Sequence, residues 1–313
     1  MSTIANTPIT ATEGAMTESR DAGRDAREFD VVANGVSLHV REVGAPQAAP
    51  VLFLHGIMGH RRDWDVTIDA LGRRFRVLAV DQRGHGRSEW TRDYRVASMA
   101  DDAVALIEGL GLAPVPIVGH SMGAMVALLV AARRPDLVDR IVLVDVVPAS
   151  LRTEFAAQMP EMLAAMAAAR YPTIDAAVAE WQAGNPLART DLLRNYVTHA
   201  LVAEPDGRLR WEFDAWGLRD FIEGVTPDEL WTAIDGVRCP SLAVRGACSP
   251  VTPPGQICEV ADRLGGASVV EIPDGGHDLG VEQPEAVTGA VLDFLISSRG
   301  GSCPPSRGRG ARS

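Results

Sequence analysis

The spacing of apolar and polar positions changes character several times along the chain. Near its start, the alternating stretches EFDVVA (28–33) and VSLHVREV (36–43) flank Asn34-Gly35. A period of two on either side of Asn-Gly predicts a β-hairpin. Beyond it, short continuous apolar runs alternate with segments of helical spacing. VLFLH (51–55), RVLAV (76–80), VPIVG (115–119) and RIVLVDVV (140–147) read as buried strands. Arg61 to Gly72, VASMADDAVALIEGL (96–110) and MGAMVALLVAARR (122–134), the last stopped by Pro135, read as helices. Strands apolar on both faces, alternating with helices, predict a mostly parallel sheet covered on both sides.

This rhythm breaks between Pro148 and Trp231. No strand is predicted there, and EFAAQMPEMLAAMAAARY (154–171), IDAAVAEWQAG (174–184) and TDLLRNYVTHAL (190–201) read as helices. The alternation resumes with the strand PSLAVRG (240–246), the helical GQICEVADRLGG (255–266), the strand SVVEI (268–272) and a last helix, Pro284 to Ser298. The expected organisation is an α/β core of residues 28–147 and 232–298, interrupted after its sixth strand by a helical insertion, 148–231. Residues 1–27 and 299–313, rich in small and polar residues, are expected to be a disordered lead and tail.

Composition narrows the function classes. The 313 residues carry a formal net charge of −11, which argues against a nucleic-acid footprint. No apolar run has membrane length, and the N-terminus lacks the apolar core of a signal peptide. Cys239, Cys248, Cys258 and Cys303 have neither paired nor metal-type spacing, so reduced thiols in a cytoplasmic protein are expected, with no metal and no cofactor.

The chemistry centres on Gly119-His120-Ser121-Met122-Gly123. The G-x-S-x-G pattern alone is weakly specific, but here a predicted buried strand precedes it and a helix follows. A serine at the tip of a tight strand-to-helix turn needs flanking glycines where the chain folds back on itself. The helix N-terminus then places the Met122 N–H beside any negative charge that develops on a reacting oxygen.

With VLFLHGIMGHRRDW, VLAVDQRGHGRS, VGHSMGA, RIVLVDVVP, LAVRGACSPVTP and EIPDGGHDLGVEQPE in this order, the chain resembles the α/β-hydrolase superfamily over residues 28 to 298. The resemblance implies the α/β-hydrolase fold, with the insertion where the family carries its cap. It implies Ser121 as nucleophile, His277 of PDGGHDL as catalytic base, and Ile57 N–H as the second oxyanion donor beside Met122. His55 and His120 are then structural neighbours, and Asp81 and Arg83 fix the loop DQRGHGRS.

One element of the pattern is missing. The family usually carries Gly-x-x-Asp-Pro after the strand that PSLAVRG represents, and this chain has Gly246-Ala-Cys-Ser249-Pro250. A serine cannot hold a histidine tautomer and offset imidazolium charge as a carboxylate does. Three readings stand at this point. Asp145, at the end of RIVLVDVV, can supply the acid, because adjacent strand ends lie about 5 Å apart. Asp274 or Asp278, beside His277, can do so. Or the site is a dyad, or catalytically reduced.

The leading expectation is a cofactor-independent serine hydrolase acting through an acyl-enzyme on a small to medium carboxylic ester, lactone or thioester, with Ser121, His277 and Asp145 as its triad. Alternatives are a carbon–carbon bond hydrolase of a vinylogous diketone and a non-hydrolytic binding member of the fold. The partner is a small molecule, with neither nucleic acid nor membrane. The insertion holds Met159, Met162, Met166, Trp181, Trp211, Phe213, Trp216 and Phe221. Trp211 and Trp216 are the residues expected to touch substrate, and most of the others are expected to pack the insertion onto the core.

Overall fold

The computed structural model describes residues 26–297 apart from 220, 222 and 223. The expected lead and tail therefore lie almost wholly outside the described residues. The hairpin forms as its pattern requires. Strands β1 (Ala26–Ala33) and β2 (Val36–Val43) pair antiparallel around Asn34 and Gly35, both at positive φ (52° and 76°). That backbone suits the right-handed twist of the strands, and Asn and Gly adopt it at little cost.

The other strands of the main sheet are β3 (Pro50–Leu54), β4 (Arg76–Val80), β5 (Val115–His120), β6 (Val138–Val144), β9 (Ser241–Gly246) and β10 (Ser268–Ile272). Their order is β1-β2-β4-β3-β5-β6-β9-β10, parallel throughout except for β1–β2 and β2–β4. The central strands are buried on both faces, because helices cover both. Met122–Arg133, Val96–Gly109 and Pro227–Gly236 belong to one apolar cluster, and Asp65–Leu71 and Pro284–Ile296 to the other. After β3 the chain builds β4 on one side and β5 on the other. Such a reversal opens a crevice at the carboxyl ends of the parallel strands, the general ligand position in open α/β sheets.

Some boundaries differ from the sequence reading. The helix expected from Arg61 begins at Asp65. The turn before it is held by side chains instead, with Arg61 N–H donating to Asp81 Oδ1 (2.6 Å) and His60 N–H to Asp63 Oδ1 (2.8 Å).

Between β6 and β9 the chain is mainly helical, with Glu154–Ala168, Ile174–Gly184 and Thr190–Ala200 close to expectation. It also contains a two-stranded hairpin that was not expected, β7 (Leu201–Ala203) with β8 (Leu209–Trp211). The turn chemistry that signals it, Pro205-Asp206-Gly207 with Gly207 at φ 85°, is in the sequence. Three-residue strands are too short to show a period of two. No helix among the described residues is long and apolar enough to cross a membrane.

Candidate active site

Ser121 stands between β5 and the helix Met122–Arg133 with φ 50° and ψ −115°. A non-glycine residue with this backbone is strained by about 1–3 kcal/mol, and such strain persists only where the surroundings impose it. Here they do. A β-carbon on Gly119 would lie 2.4 Å from Gly123 O, and one on Gly123 would lie 2.3 Å from Leu54 O at the end of β3. Both glycines are thus required by backbone packed on backbone, and Ser121 is held at the carboxyl edge of the sheet.

The loop after β3 runs alongside. A β-carbon on Gly56 would come within 3.4 Å of Ser121 Cβ. The next residue, Ile57, lines the cavity above the sheet. Among the described residues, neither Ile57 N–H nor Met122 N–H has a hydrogen-bond acceptor. Two free amides flanking one serine can stabilise an anionic oxygen.

His277 lies on the loop after β10. Its Nδ1 bonds Asp145 Oδ2 at 2.7 Å, and Asp145, at the end of β6, is fully buried. The carboxylate has two further partners. Ser249 Oγ donates to Oδ2 at 2.5 Å and Gly246 N–H to Oδ1 at 3.2 Å. The Ser249 hydroxyl in turn accepts from Val251 N–H (3.1 Å) and Thr252 N–H (3.3 Å). The serine at the usual acid position therefore donates to Asp145, and the contact with His277 is made by Asp145. Asp145 itself has φ 51°, a left-handed backbone that Asp tolerates better than most residues.

Asp274 is exposed, and Asp278 makes no hydrogen bond to the ring. Burial pulls the His277 pKa down, but the hydrogen bond and charge of Asp145, with the charges of Asp278 and Glu282, outweigh it and leave the pKa above its ordinary value. Ser121 Oγ makes no hydrogen bond to His277. In unliganded sites this contact is commonly long and tightens when substrate binds.

The other histidines have packing roles. His55 Nε2 accepts from Gln82 N–H (2.9 Å) while Nδ1 faces Gly56 O (2.7 Å). Burial, only partly countered by that second contact, holds its pKa near 4. His120 Nε2 contacts His277 O at 2.9 Å, and a β-carbon on Gly56 would lie 2.8 Å from its Nδ1. Nitrogen and carboxylate atoms of His120, His277 and Asp278 come within 4.8 Å of one another, a spacing that invites a metal reading. His277 O already contacts His120 Nε2, and Asp145 already contacts His277 Nδ1. Asp81 and Arg83 act as loop ties, Arg83 forming paired 2.6 Å bonds to Asp102.

A cavity of 540 Å³ opens beside His120 and His277, walled on its far side by Phe155, Met162, Met166, Trp181 and Tyr196 of the inserted segment. Neither Trp211 nor Trp216 lines it, which corrects the sequence expectation for both. Trp211 is buried behind Trp181, with ring centroids 5.0 Å apart, because the unexpected hairpin turns it into the interior of the insertion. Trp216 is 63% exposed, with Arg219 over its ring. Tyr196, which donates to Met58 O at 2.9 Å, and Phe155, 5.7 Å from the His277 ring, were missed. Nothing in their local sequence separates them from ordinary packing residues.

A family model for the alpha/beta hydrolase fold matches residues 49–284. The chain belongs to the α/β-hydrolase family. It is 32% identical over 256 residues to an esterase of Mycobacterium tuberculosis, covering 79% of this chain and 83% of that one. It is 29% identical over 253 residues to an sn-1-specific diacylglycerol lipase of Mus musculus, covering 78% and 80%. Among solved structures, E-2-(acetamidomethylene)succinate hydrolase superposes with a TM-score of 0.78 at 28% identity, covering 87% of this chain and all of that one. The corresponding curated enzyme, from Mesorhizobium japonicum, is 30% identical over 274 residues, covering 83% and 92%. As a member of this family, the chain is an enzyme of the hydrolase type.

Proposed function

We propose that this α/β-hydrolase is a serine hydrolase of carboxylic esters, lactones or thioesters, with Ser121, His277 and Asp145 as its triad. The contact that carries the reading is His277 Nδ1 to Asp145 Oδ2, at the end of the strand next to the serine's own. With Nδ1–H held by the carboxylate, Nε2 is left unprotonated and can take the Ser121 proton as the hydroxyl attacks the carbonyl. The Ile57 and Met122 N–H groups receive the oxyanion. The imidazolium, offset by Asp145, hands its proton to the leaving alcohol or thiol. Water, activated by the same imidazole, then cleaves the acyl-enzyme.

In this reading residues 148–231 form a cap over the core segments 28–147 and 232–298, and the cavity between them holds a small-molecule acyl or alkyl group. The names of the relatives, an esterase and a diacylglycerol lipase, support ester chemistry. The non-hydrolytic reading loses its motive once a carboxylate reaches His277, and the esterase and lipase relatives are the reason for preferring ester chemistry to the carbon–carbon alternative.

The direct test is labelling with an alkyl fluorophosphonate alongside turnover of a p-nitrophenyl ester series. Covalent modification at Ser121 and hydrolysis of at least one ester are expected. A folded wild-type protein that neither labels nor hydrolyses any ester would overturn the proposal. Because Trp181 walls the cavity and Trp216 faces solvent, Trp181→Ala is expected to move the chain-length optimum to longer acyl groups by several-fold in kcat/KM. Trp216→Ala should leave the profile unchanged. The opposite pattern would place the acyl group elsewhere.

A further inference from the structure

The cavity wall is chemically one-sided. Four carboxyl side chains line it: Asp63 from the turn after β3, Glu180 from the helix Ile174–Gly184, and Asp278 and Glu282 from the segment after β10. The protein has 30 arginines and no lysine, and no arginine is among the described residues that line the cavity; its basic groups there are the imidazoles of His120 and His277. The rest of the wall is largely apolar and aromatic, with Trp181 and Tyr196 stacked at 6.2 Å and Phe155 beside His277.

Three of the carboxyls have structural partners. Asp63 accepts from His60 N–H (2.8 Å), Glu180 from Tyr171 OH (2.7 Å) and Glu282 from Gly276 N–H. The Asp278 carboxyl has no hydrogen-bond partner among the described residues, and it lies within 4.8 Å of nitrogens of His277 and His120. The acids share one field. Burial first, and the charge of Asp278 in addition, push Glu282 up to about 7 and Asp63 well above the usual carboxylate range.

A carboxylate placed among these groups would lose its hydration and meet like charge, with no arginine to pair with. An ammonium would meet carboxylates and aromatic faces, the combination that binds quaternary ammonium groups. Resting on the serine hydrolase reading for the chemistry, we infer that this cavity takes esters whose enclosed part is uncharged or bears an ammonium group, and excludes those bearing a carboxylate. The solved relative named for a substituted succinate acts on a dicarboxylate. This chain then shares its fold but not its substrate class.

Two measurements decide the matter. The first is calorimetric binding of pentyltrimethylammonium, 1-heptanol and heptanoate to full-length Ser121→Ala protein at about pH 8, where Glu282 is mostly ionised. Heptanoate is expected to bind at least about tenfold more weakly than either of the others. Heptanoate binding as tightly as 1-heptanol overturns the inference.

The second compares wild-type kcat/KM for the p-nitrophenyl esters of hexanoate, 6-(trimethylammonio)hexanoate and adipate (the monoester). The adipate monoester is expected to be at least about 100-fold slower than the hexanoate ester. Equal rates overturn the inference. The isosteric double variant Glu180→Gln/Asp278→Asn should narrow that gap by about tenfold, and an unchanged gap in a folded variant would show that these carboxyls do not set the selectivity. If the wild-type enzyme hydrolyses no ester at all, the serine hydrolase reading fails, and the binding series still decides the charge preference on its own.

Discussion

Ser121→Ala is expected to lower ester turnover by about 10⁶-fold, the scale on which removing the nucleophile of a serine triad acts. The expectation follows from how Ser121 is held. Its φ of 50° is imposed by Gly119 and Gly123 packing against backbone, not by its hydroxyl. Alanine keeps the β-carbon and can occupy the same turn, so the fold and the melting temperature should be unchanged. What disappears is the hydroxyl proposed as the nucleophile. Initial rates with the best p-nitrophenyl ester, measured beside a thermal melt, provide the check. Turnover within about tenfold of wild type would remove Ser121 from the mechanism.

The second large effect is expected from Asp145→Asn, a loss of about 10⁴-fold in kcat. Asparagine tolerates the positive φ of this residue, and its amide fills the same volume, so folding should survive. The chemistry should not. An amide NH₂ facing His277 Nδ1 makes that nitrogen an acceptor and moves the ring proton to Nε2, which then cannot accept from Ser121. It also leaves the imidazolium without countercharge.

The pH profile distinguishes this from a mere packing defect. The base must be neutral to act, so wild-type kcat/KM should rise with pH through a His277 pKa lying above its ordinary 6.5. Without Asp145 the largest raising influence is gone and burial remains, so the midpoint of the residual activity should fall. An unchanged midpoint would mean that Asp145 does not act on His277.

Ser249 supplies an internal control. Removing its hydroxyl with Ser249→Ala takes away one donor to Asp145 and should cost about a hundredfold at most, the value of one charge-assisted hydrogen bond and far below the loss expected from Asp145→Asn. In the Asp145→Asn background, Ser249→Asp should restore part of the lost rate. The Ser249 oxygen is 2.5 Å from the carboxylate oxygen that His277 contacts, so a carboxylate there addresses the same ring.

Much of this protein was legible without coordinates because it depends on local chemistry. Asn34-Gly35 between alternating stretches specifies a hairpin whatever surrounds it. Apolar runs between helical segments require a sheet buried on both faces. Gly119 and Gly123 around Ser121, after a strand and before a helix, encode a turn that only glycines permit. Other features depend on which segments meet. Asp145 and Ser249 are far apart in sequence, and three sources of a carboxylate stayed open until the sheet order made β6 and β9 neighbours, which brings both side chains under His277. The cavity was hidden for the same reason. Trp181, Trp211 and Trp216 look alike along the chain, and only the packing of the hairpin and helices puts the first on the wall, the second behind it and the third in solvent. Local sterics can be read from neighbouring residues, whereas the direction a side chain faces across an insertion is set by long-range contacts that no short stretch of sequence contains.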